Sequence, residues 1–105
     1  NAAVDQARND GVTPLIIASQ NDHLEVVKFL VSNNAAVDQA SNDGVTPLRI
    51  ASQNNHLEVV EFLVSNNAAV DQASNDGVTP LYVASQNNHL EVVKFLVSNN
   101  AAVDQ

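Results

Sequence analysis

The chain predicts an all-α solenoid, a row of stacked helix-turn-helix units, and three observations predict it. The 105 residues repeat with a period of 33, and NAAVDQ begins at Asn1, Asn34, Asn67 and Asn100. Superposing residues 1–33, 34–66 and 67–99 leaves 28 of 33 columns identical; only those headed by Arg8, Ile16, Ile17, Asp22 and Lys28 vary. Each period carries two helix signals, and both helices are too short to stand alone in water, so neighbours must cover them.

Each element follows from local chemistry. Thr13-Pro14 starts the first helix, because the threonine hydroxyl caps free N–H groups and proline sits where its missing N–H costs nothing. That helix runs from about Pro14 to Gln20. Asn21-Asp22 ends it, since Asn and Asp tolerate the left-handed conformation better than any residue but glycine. HLEVVKFLV then spaces Leu24, Val27, Leu30 and Val31 as one apolar stripe of a second helix, which Ser32-Asn33-Asn34 closes in the same way. Between units, AAVDQASNDG gathers turn residues, with Gly44 giving backbone freedom before the next threonine cap. At 105 residues, one domain is expected.

On these residues, DGVTPLIIASQNDHLEVVKFLVSNNAAVDQ resembles the ankyrin repeat, with TPL and HLEVV in phase three times across the whole chain. The resemblance implies an ankyrin-repeat solenoid of antiparallel helix pairs joined by β-hairpin-like loops. Its repeats would be 8–40, 41–73 and 74–105, after residues 1–7 as the tail of a truncated repeat. Departures are visible. The family's histidine after TPL is replaced by Ile16, Arg49 and Tyr82, and family glycines by Asp22, Asn55 and Asn88 and by Asn34, Asn67 and Asn100. The ends read as a fragment of a longer array. Because the last unit keeps Val92, Val93, Phe95 and Leu96 where terminal repeats turn polar, its outer face is expected to be sticky and to support end-to-end self-association.

Composition closes several functional classes. Twelve acids against four Lys and Arg give a net charge of −8, the wrong sign for holding phosphates, so no nucleic-acid partner is expected. No run reaches the ~20 apolar residues of a membrane span, and no membrane insertion is expected. Zero cysteines remove thiolate chemistry. His23, His56 and His89 recur at the start of the second helix. Stacked helices roughly 8–10 Å apart cannot bring two imidazoles within about 2 Å of one zinc, so these histidines read as bonding locally. Ser19 and His23 supply residue types of a nucleophilic triad, but the set is stamped three times along a rod rather than gathered in a pocket. Laid on a calcium loop, QASNDG puts Gln39 and Ile50 where carboxylates are required. With no phosphate loop either, the chain reads as no enzyme, with no cofactor and no metal.

One column stays free inside a fixed frame: Ile16, Arg49, Tyr82. At about 100° per residue it points away from Leu15 and Ala18, and lies over Gln20 one turn on. With Gln20, Gln53 and Gln86 it would form a stripe on the helix-one side, which in ankyrin-like solenoids lines the concave groove. Drift at a tolerant place is one reading. The other is contact with a partner, Tyr and Arg being enriched in binding hot spots. Asp10, Asp43 and Asp76 should line one edge at the loop tips, with Asp5, Asp38, Asp71 and Asp104 nearby, as a solvated face or as weak steering for a basic partner. The expectation is a non-catalytic protein-protein interaction scaffold binding a protein or peptide through helix one and the loop tips. Alternatives are a structural spacer or self-assembling rod, and an engineered consensus array without a natural partner. The resemblance favours an intracellular setting.

Overall fold

The computed structural model describes residues 4–101. The start of the expected truncated repeat and the last four residues, Asp104 among them, lie outside that range. Six helices follow in order: α1 (Pro14–Gln20), α2 (Leu24–Ser32), α3 (Pro47–Gln53), α4 (Leu57–Ser65), α5 (Pro80–Gln86) and α6 (Leu90–Ser98). No strand occurs among the described residues.

The local signals work as anticipated. The Oγ1 atoms of Thr13, Thr46 and Thr79 accept from the N–H groups of Ile16, Arg49 and Tyr82 at 3.1–3.2 Å. Asp22, Asn55 and Asn88 turn the chain between the helices of each pair at φ of 60 to 63°, and Asn34, Asn67 and Asn100 leave the second helix at 71 to 76°. The loops are short fingers rather than strand ladders. In the second, Ser41 N–H donates to Val45 O and Gly44 N–H to Ser41 O, closing a hairpin-like turn.

Three helix pairs stack in line, α1 on α3 on α5 and α2 on α4 on α6, over one core. Leu15, Leu48, Val27, Val59, Val60 and Leu63 are fully buried in it. Ala18, Ala51 and Ala84 keep the helices close where a larger side chain would hold them apart.

Polar ladders run along the stack. Asp5 and Asp38 each accept the backbone N–H of the residue 31 places on, Ala36 and Ala69, at 3.0 Å. Asn42 and Asn75 N–H donate to Asp10 and Asp43 carbonyls at 2.9 Å. His56 and His89 use Nδ1 on the carbonyls of Ser19 and Ser52 at 3.1 and 3.2 Å, which assigns the proton to that nitrogen. Two expectations are corrected here. These histidines bond to the preceding pair rather than locally, because their helix starts sit over the previous pair's helix ends. Asp5 and Asp38 are staples between units rather than a solvated row.

Candidate partner-binding surface

The free column does not form an outward stripe. Capping by threonine fixes its place in the first helical turn, and from there the Arg49 side chain reaches the next unit's finger. Ile16 is only 3 % exposed. Arg49 is half-buried, and its Nη1 donates to Ser74 Oγ at 3.1 Å. Tyr82, with no further unit beside it among the described residues, is 53 % exposed. Pointing away from Leu15 and Ala18 was right for the unit's own core. A solenoid helix has a second buried side, however, where the next unit lands, so Ile16 is removed from the contact set.

The Arg49–Ser74 bond also shows that two variable columns meet. Ser74 is the register mate of Ser41 and Arg8, 33 and 66 residues earlier. The signal was present in the sequence, since two of only five varying columns face each other, but periodicity alone does not say which columns touch.

The remaining candidates are open to solvent. Gln20 and Gln86 are exposed and Gln53 is half-buried, while their shared frame is held by Asn54 and Asn87 Nδ2 donating to the Gln20 and Gln53 carbonyls. Asp10, Asp43 and Asp76 all stand exposed on the fingers. Arg8 forks onto the Asp10 carboxylate at 2.7 and 3.1 Å and holds that carboxyl down at about 2. Asp76 is lowered too, chiefly by the Ser74 hydroxyl it accepts from, with the Arg49 charge contributing less.

Between the second and third fingers lies a cleft of about 300 Å3, lined by Asp43, Val45, Arg49, Ser74, Asn75 and Asp76. Val45, Ser74 and Asn75 were not among the expected contacts. They come together because equivalent loops sit side by side across the stack. The cleft offers two carboxylates, one guanidinium, an amide and a short apolar wall, a set suited to hydrogen bonding. Ser19 Oγ and Ser52 Oγ are buried without a hydrogen-bond partner, while His56 and His89 contact the carbonyls of these two serines.

A family model for ankyrin repeats, in three copies, matches residues 1–74 and 37–105. The chain belongs to the ankyrin-repeat family. Ankyrin repeats are generally non-catalytic protein-protein interaction modules, and the six-helix stack is consistent with their solenoid. No curated protein matches this ankyrin chain. Among its described residues no helix is long and apolar enough to cross a membrane.

Proposed function

We propose that the chain is a non-catalytic scaffold that binds an extended protein segment across its finger tips. The observation that carries this reading is the cleft between the second and third fingers, lined by exposed Asp43 and Asp76, with exposed Gln86 and half-buried Gln53 at the ends of the first helices of the same two units. Arg8 and Arg49 temper the acidic row at Asp10 and Asp76. Recognition then rests on hydrogen bonds with a modest preference for Lys or Arg near Asp43, rather than on bulk charge.

The test is selection from a random peptide library against the whole chain, then titration of enriched peptides against Asp43→Asn and Asp76→Asn. The reading expects peptides bearing a basic residue, weakened about tenfold or more by the double substitution. Equal binding to both forms would move the site off the fingers.

A further inference from the structure

The two junctions between fingers are written in the same residues except for one. Asp10, Val12, Ser41, Asn42 and Asp43 at the first junction repeat as Asp43, Val45, Ser74, Asn75 and Asp76 at the second, but the column between them holds Ile16 in one and Arg49 in the other. Both junctions lie inside the array, with a finger on either side. At the first, Ile16 is buried, and Ser41 Oγ serves its own finger by accepting from Val45 N–H at 3.2 Å. At the second, Ser74 Oγ accepts from Arg49 and donates to the Asp76 carboxylate. One residue separates an apolar contact from a polar cleft.

Arg49 is the cation that finds no acid. Of the four Lys and Arg, Arg8 pairs with Asp10, Lys28 with Glu25 and Lys94 with Glu91, whereas Arg49 pairs with no carboxylate among the described residues. Its Nε–H is buried without an acceptor, which leaves the Ser74 bond as the only one the guanidinium makes there. Unmet donors on a charged group cost free energy that an incoming acceptor recovers. The same cleft holds a matching anion. Asp10 is taken by Arg8 and Asp76 by Ser74, but the Asp43 carboxylate accepts no hydrogen bond among the described residues.

We infer that this cleft takes an acid and a base together: an Asp or Glu carboxylate of the partner on the Arg49 guanidinium, and a Lys or Arg of the same extended segment, within two places of that acid, against Asp43. Side chains two places apart on an extended chain share one face at about 7 Å spacing, which suits a cleft of about 300 Å3. A lone anion meets Asp43 and Asp76, and a lone cation meets Arg49, so the pair is preferred to either. Arg49 is then the residue that gives this junction its specificity. The inference rests on the proposed binding at the fingers and adds the acid that the reading above does not contain.

A random peptide library selected on the whole chain supplies the probes, and the enriched peptides are made again with their acid changed to the matching amide. Peptides with an acid within two places of a base are expected to dominate. Arg49→Ile, which gives the column the residue of the first unit, and the amide change in the peptide are each expected to weaken binding roughly tenfold, and together no further than either alone. Lys94→Gln lowers the charge by the same amount away from the cleft and is expected to change affinity less than about twofold. Enriched peptides without the acid, losses that simply add, or an equal loss with Lys94→Gln overturn the inference, while sensitivity to Asp43→Asn still upholds binding at the fingers. No enrichment at all, or no sensitivity to Asp43→Asn, overturns both. Arg49→Gln replaces Arg49→Ile if circular dichroism shows the latter unfolded.

Discussion

The middle helix pair and the outer two are written in almost the same residues, yet they live in different solvents. Val59, Val60 and Leu63 of α4 are all fully buried. In α2 only Val27 is equally buried, while its Val26 and Phe29 stand in water. In α6 Val92 and Leu96 are buried but Val93 is only half-covered. Identical local sequence makes identical helices; burial, and with it the larger share of stability, comes from whichever unit stands alongside.

Substitutions in register mates test that difference. The largest effect is expected for Leu48→Ala in the fully buried α3 position, about 2–5 kcal/mol in guanidinium denaturation. Leu81→Ala, in the half-buried mate, costs clearly less. Equal losses would mean that the middle pair owes nothing to its two neighbours.

Glycines at the fingers sharpen the comparison. Gly44 and Gly77 share a left-handed backbone, φ 83 and 84°, so alanine costs each about 1–2 kcal/mol from conformation alone. At Gly44 the added Cβ also falls 2.6 Å from Asn75 Oδ1 and 2.7 Å from its backbone N, whereas at Gly77 it meets nothing within 4 Å. Gly44→Ala is therefore the more damaging by thermal melting, and the excess measures how firmly adjacent fingers are held.

Smaller again is the histidine ladder. His56→Ala removes the bond to Ser19 O and is expected to cost about 0.5–1.5 kcal/mol. His23→Ala, on the outward end, stays within about 0.5 kcal/mol.

The smallest effect is electrostatic. The Asp10 carboxyl is held at about 2 against an ordinary 3.8, first by its hydrogen bond from Arg8. A depressed carboxyl adds stability that is present above the ordinary value and is lost as pH falls through about 2. Both side chains are exposed, so solvent screening keeps the contribution slight. Arg8→Ser is expected to flatten the melting curve's dependence on pH across that window, while leaving neutral-pH stability nearly unchanged.

Much of this architecture was legible because its causes are local. Threonine caps, prolines at the first helical position and left-handed Asp22 and Asn34 act within four residues, so α1 from Pro14 to Gln20 was readable before any coordinates. The candidate surface was less so. Contacts such as Asp5 to Ala36, Asn42 to Asn9 and His56 to Ser19 span 31 to 37 residues. The period implies that such contacts exist without saying which atoms meet. Ile16 was misplaced for that reason, and Val92 and Leu96 were assigned to an end face that they do not occupy.

By itself, then, the sequence determined the unit: two helices, their caps, their turns and the necessity of stacking, all consequences of short-range sterics and hydrogen bonding in a motif repeated three times. Tertiary structure alone decided the direction in which each unit faces. Stacking is directional, so the same valine is core in one copy and surface in another, and the same column buries Ile16, tethers Arg49 and leaves Tyr82 open.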